Sequence, residues 1–353
     1  MNSKLTTNRA SRLATILALV TLLLLAAASP LYPRLALERL RSAFGAWTYQ
    51  EPPAAPNARD QSAMSYIGSD QALLFGGWDG NIYRGDTWIY DLSENTWTDQ
   101  APPVSPSARR SHAMAYLGDD KVLLFGGYNG APSGETWVYD LSANTWTNKN
   151  PSTAPMARSV HAMAYLGGDQ ALLFGGFVDY YGETWVYDLS DNTWTQKTPA
   201  ASPSPRLGHA MAYAGGDKVV LFGGQDGMDS KTWVYDLSQY TWTGLEPVSH
   251  PTVRYNHAMA HLGGDQVILF GGYTGALYMA DTWVYDLSDN TWTIQLPPVS
   301  PLQRANNALT YMDGDRVLLF GGGDGEVMFG DTWLASGFYS DDWPMTYLPL
   351  LQK

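Results

Sequence analysis

Six arginines recur along the chain at nearly fixed spacing, Arg59, Arg109, Arg158, Arg206, Arg254 and Arg304, and four histidines, His112, His161, His209 and His257, share one repeated position beyond them. A guanidinium is a planar fork of donors that fits a carboxylate. Imidazole is the commonest side chain for proton transfer or zinc ligation near neutral pH. Two chemistries are therefore open, capture of an acidic ligand and a metal ring. The ring is the weaker of the two, since zinc draws its ligands to within about 2 Å of one centre, and equivalent positions spread round a repeat array rarely converge. Packing is the simpler reading of the histidines, which give way to Ser62 and Asn307 in two repeats. An arginine present in every repeat also has an architectural reading, bonding loop carbonyls between neighbours. No metal and no cofactor is expected, and no catalytic residue is assigned.

Composition narrows the classes further. Cysteine is absent from all 353 residues, which removes disulfides, thiolate metal sites, cysteine nucleophiles and a lipid-modified cysteine. The formal charge is −13, and it becomes −16 without Lys4, Arg9 and Arg12. A phosphate backbone is a poor partner for such a chain, so nucleic acid is set aside. Residues 1–28 place those three cations before an apolar run, Leu13 to Ala28, that ends in small residues ahead of Ser29-Pro30. That is the layout of a signal peptide, with an uncleaved membrane anchor as the alternative. Export is expected either way, to the cell surface or as a secreted protein, with membrane contact only through this segment. Residues 29–44 are expected to be a linker.

The elements that must position the arginines are short strands. A Gly-Gly pair stands at 76, 126, 175, 223, 271 and 321, in steps of 50, 49, 48, 48 and 50 residues. A period near 50 built from four short strands marks a propeller, whose blades cannot bury both faces alone. Each repeat reads an arginine, an inner strand such as HAMAYL (112–117), a Gly/Asp turn, and a second strand such as VLLFGG (122–127). A loop follows, then TWVYDL (136–141) and NTWT (144–147) joined by a polar turn. Alternating small and large residues on the inner strand suit a wedge that narrows toward an axis. Trp137, Tyr139 and Trp146 are expected to pack between blades, and 12 of the 14 tryptophans fill two such repeated positions.

These residues, Gly-Gly followed by Tyr139 and Trp146, resemble the kelch motif, and the resemblance extends over residues 45–336. It implies an all-β, six-bladed propeller with four antiparallel strands per blade. A WD-type propeller fits worse, because the lone Trp78-Asp79 pair reads as loop. After Trp333 no NTWT segment follows, whereas AWTYQEPPAAPNAR (46–59) aligns with TWTDQAPPVSPSAR (96–109). The N-terminal strand Ala46 to Gln50 is thus predicted to complete the last blade, beside the strand around Trp333. Residues 337–353 form a tail ending in YLPLL, which weakly resembles the short ends of some exported bacterial proteins.

All length variation between repeats lies between Gly-Gly and Thr-Trp. These loops and the Pro-rich loops emerge on one end of the propeller, and loop residues on a rigid scaffold commonly carry function. The aromatic residues there, Trp78, Tyr83, Tyr128, Phe177, Tyr180, Tyr181, Tyr273, Tyr278 and Phe329, together with the six arginines, form the candidate ligand face. In kelch propellers that bind acidic peptides, arginines at matching positions line the channel mouth, which the resemblance implies here as well. Aromatics beside Asp and Asn also suit sugar rings. The expectation is a monomeric, non-enzymatic binding module for a protein or glycan. Kelch relatives offer one enzymatic alternative, a sugar mutarotase resembling sialic acid mutarotase, for which His261, Arg110 and Glu326 are the unrepeated polar candidates. Galactose oxidase chemistry needs a cysteine that the chain lacks. A structural surface protein is the third reading.

Overall fold

The computed structural model describes residues 45–178, 181–225 and 230–339. Tyr180, the signal segment, the linker and the tail beyond Tyr339 lie outside them. All regular structure among the described residues is strand, gathered in six sheets of four. The second blade is representative: Ala113–Tyr116, Lys121–Phe125, Thr136–Asp140 and Thr145–Asn148, joined antiparallel in sequence order. Its second strand is apolar and buried from Val122 to Phe125, as a strand covered on both faces must be, while the outer strand alternates between core and solvent.

The sixth blade is closed as expected. Ala46–Gln50 pairs antiparallel with Thr332–Ser336, Ala46 opposite Ser336 and Gln50 opposite Thr332. Trp47 occupies the place that Trp97, Trp146, Trp194, Trp242 and Trp292 hold in the other blades. Each of these indoles crosses to the preceding blade and donates Nε1–H to a buried threonine, at 3.0 Å for Trp146 to Thr87 and for Trp47 to Thr282. Each also meets a phenylalanine there, edge-on in five of the six, Trp47 with Phe270 at 5.2 Å and Trp146 with Phe75 at 5.3 Å. Tyr139, fully buried, lies directly opposite Trp146 across the two outer strands. The first tryptophan of the repeat joins this packing between blades as expected, Trp185 buried at 8% exposure and Trp137 set against the cluster shared by the first two blades. Trp137 stays partly exposed, and its Nε1–H bonds Glu135 just ahead of its strand.

The Gly-Gly pair is where adjacent blades touch backbone to backbone. Gly126 has φ +71°, and a Cβ there would lie 2.6 Å from the Arg158 carbonyl of the next blade. Only glycine tolerates both conditions.

The two ends of the propeller differ. On one end are the first turns and the polar outer turns; on the other, the variable and Pro-rich loops. The chain leaves the last blade on the turn end, where the Gly337 N–H bonds Asp315 and Tyr339 lies against Gly264. Phe338 is buried beside Trp47, so packing continues past residue 336. On the loop end, the first blade departs from the sequence reading. Trp78 is the last residue of the strand Gln71–Trp78 and pairs with Tyr83 of Tyr83–Asp91, so this variable loop is an extended hairpin. Gly77 opposite Arg84 and Trp78 opposite Tyr83 carry the ladder outward.

Candidate functional site

The arginines lie inside the blades. All six are 0–1% exposed. Each donates Nη1–H to the first Gly-Gly carbonyl, Arg109 to Gly126 at 3.0 Å for example, and Nε–H to the carbonyl two residues upstream. Wherever an acidic residue precedes Thr-Trp, it takes a further donor. Arg59 forks onto Asp86 at 2.6 and 2.8 Å, and Arg109, Arg158, Arg254 and Arg304 hold Glu135, Glu183, Asp281 and Asp331. Burial alone would raise the Asp86 carboxyl, but the hydrogen bonds and charge of Arg59 outweigh it and hold the group below its ordinary value. In the fourth blade Lys231 takes the acidic position and pairs with Glu246 at 3.2 Å. The guanidiniums thus tie loop, glycine corner and third strand into one unit, and their donors point into the protein.

The histidines are equally internal. His112 is buried edge-on against Phe75 of the preceding blade, 5.5 Å between centroids, and His161, His209 and His257 repeat that contact with Phe125, Phe174 and Phe222. Burial, then the nearby Arg109 charge, pushes the His112 imidazole down to about 3; His161 and His257 fall to about 3 for the same reasons. They are neutral packing groups at physiological pH. Among the described residues, no three His, Asp or Glu side chains are grouped to hold a metal ion.

Aromatic and aliphatic side chains lie beside exposed polar ones such as Asn81, Asn129 and Glu326 on the loop end. Trp78, Tyr83 and Tyr128 make one cluster, with ring separations of 5.1 and 6.0 Å. Arg110 stands 5.6 to 5.8 Å from all three rings, a role its lack of repetition hinted at but did not define. Tyr255, Tyr273 and Tyr278 make a second cluster at 5.5 and 4.7 Å, of which Tyr255 was not foreseen. A cavity of about 140 Å³ lies beside Tyr278, bounded by Asp60, Asn306 and Glu326. Tyr181 and Phe329 are not in these clusters; each covers a buried arginine, Arg158 and Arg304, at 4.1 Å. Phe177 is exposed. Around these lie aliphatic side chains that sequence reading passed over: Leu277, 66% exposed, and Ile82 and Val327 on variable loops, with Met156, 66%, and Leu302, 65%, on Pro-rich loops. Their signal was present, as apolar residues in otherwise polar loops.

Six four-stranded blades, a Gly-Gly corner in each and a recurring tyrosine–tryptophan pair define a kelch-type propeller. The chain matches the KLHDC2/KLHL20/DRC7 Kelch-repeats domain over residues 39–176 and 167–343, and belongs to that family. No curated protein matches it. The kelch fold suggests a scaffold for protein interaction.

Proposed function

We propose that this protein is an exported binding propeller that holds a protein partner on its loop end. The observation that carries the reading is the concentration of exposed apolar side chains there, Leu277, Met156, Leu302, Ile82 and Val327, beside two aromatic clusters. Large apolar groups left in water around aromatic anchors are what a protein interface buries. Because the arginines are turned inward, recognition rests on apolar and aromatic contact more than on charge. A photo-crosslinking residue placed at Leu277 is expected to give discrete adducts in the native host, and one placed at Glu94 on the turn end none. Adducts only from Glu94 would reverse the assignment.

A glycan is the second reading, supported by the polar cavity beside Tyr278. The Trp78 cluster is the poorer sugar platform, since Arg110 already lies near each of its rings. Binding to a glycan array that disappears with Tyr278→Ala, while the Leu277 adducts persist, would mark a separate sugar subsite. Export through residues 1–28 belongs to the same proposal, and secretion lost on deleting Leu13 to Ala28 is its test.

A further inference from the structure

A cavity enclosed by all six blades lies on the end opposite the variable loops. There the inner strands surround a chamber of about 300 Å³, at the lower bound of about 300–1,000 Å³ usual for small-molecule sites. Its collar is a closed ring of six aromatic side chains, one from each blade: Tyr66, Tyr116, Tyr165, Tyr213, His261 and Tyr311. Successive ring centroids are 5.1 to 5.6 Å apart all the way round, with interplanar angles of 54 to 71°. The angles match the sixty-degree step of a sixfold array. A guest on the axis of such a hexagon is about 5.4 Å from every centroid, inside the roughly 6 Å reach of a cation–π contact. Methionines from five blades and Leu309 from the sixth line the chamber below the collar, so its wall is soft and apolar.

The surroundings fix the sign of charge that the chamber favours. The first turns of the six blades contribute eight carboxylates, Asp70, Asp119, Asp120, Asp169, Asp217, Asp265, Asp313 and Asp315. The basic side chains beside these turns are Lys121, Lys218 and Arg316, and each is paired: Lys121 with Asp140, Lys218 with Asp236, Arg316 with Asp70 and Asp313. A mouth ringed by one sign of charge with apolar walls concentrates the opposite ion. His261, the one collar member that is not tyrosine, bonds the Tyr213 carbonyl through Nδ1 at 3.2 Å, so that nitrogen donates. Burial lowers its imidazole below the ordinary value, which keeps the collar free of a competing charge near neutral pH.

We propose that this chamber is a second binding site, taking a compact organic cation, a quaternary or protonated amine, within the aromatic collar. The site is distinct from the loop end and independent of the partner held there. It supplies ring faces for an alkyl ammonium group, apolar wall for its carbon body and carboxylates for its charge. An anion meets repulsion at the mouth, and a neutral guest of the same shape forgoes both charge terms.

Isothermal titration calorimetry of the full chain with choline and with 3,3-dimethylbutan-1-ol, its uncharged isostere, tests the assignment. Choline is expected to bind, with the alcohol weaker by about tenfold or more. Tyr165→Leu is expected to weaken choline by a similar factor, Tyr165→Phe to retain it, and Tyr278→Ala on the loop end to leave it unchanged. If Tyr165→Leu does not fold, Asp119→Asn with Asp120→Asn serves in its place, with a weaker affinity and a shallower dependence on salt. Equal affinity for the alcohol would overturn the proposal. So would no binding of choline, or binding indifferent to both the collar and the rim variants.

Discussion

Arg254 is a cation that is only 1% exposed, because its fork meets acceptors on three sides: the Gly271 carbonyl, the Thr252 carbonyl and both oxygens of Asp281. Removing one partner of such an array strands the others. Arg254→Ala is therefore expected to cost roughly 3 to 5 kcal/mol, read as a lowered denaturant midpoint. Arg254→Lys is expected to recover little, since an ammonium cannot reproduce the fork. Arg110→Ala, whose contacts are to ring faces at the surface, is expected to cost no more than about 1 kcal/mol. The histidines give the protein an acid dependence of definite sign. Their folded values, about 3 for His112, His161 and His257, lie below the ordinary 6.5. The unfolded chain thus takes up protons first, and stability present above 6.5 is lost as pH falls toward 3, by about 1.4 kcal/mol per pH unit for each histidine. Carboxylates such as Asp86 and Asp281, held below their ordinary values, act only at the bottom of that range. Denaturation midpoints measured between pH 7 and 4 should fall steeply in the native chain and less so in His112→Asn, which copies the residue already present at Asn307. Repetition made these positions visible in the sequence, but not their direction. Whether an arginine lines a mouth or braces a corner depends on which way its side chain is turned, and the spacing of residues is the same for both.

At the scale of the strand, the pairing of Ala46–Gln50 with the last blade was legible because an outer strand was missing at one end of the alignment and surplus at the other. The contacts it makes could be inferred from the five copies that precede it. Trp47 is 3% exposed and bonded to Thr282. Trp47→Ala is expected to cost roughly 3 to 5 kcal/mol, in a melting experiment alongside Trp78→Ala, which removes a partly exposed ring and should cost much less. Equal melting temperatures would contradict the closure. The first-blade hairpin escaped the sequence reading because its ladder is built from Trp78, Tyr83 and Arg84, residues that serve equally in loops. The unequal burial of the two tryptophan positions escaped it too. Trp88, Trp137 and Trp283 stay partly exposed and bond the acidic residue two places before them, whereas the outer tryptophans bond a threonine of the preceding blade.

Across the whole molecule, the blade count and the separation of a variable end from a constant one could be read from where lengths change. The collar of Tyr66 to Tyr311 could not. Its members recur at one position in each blade, and a recurring tyrosine reads as packing until the strands are wrapped round an axis and the rings close on themselves. The chain enters the propeller at Ala46 on the turn end, and the residues after Ser336, as far as Tyr339, lie on the same end, with Ala46 opposite Ser336 in the closing pair. The mechanical consequence depends on where load is applied. Tension between the two chain ends acts at one end of the closing pair, so its hydrogen bonds open one after another, as a zip does. Tension between the N-terminus and a partner gripping the loop end runs along Ala46–Gln50 instead. All the ladder bonds and the Trp47 anchor then resist together in shear. A tethered propeller of this design is weak against being peeled and strong against being pulled by what it holds.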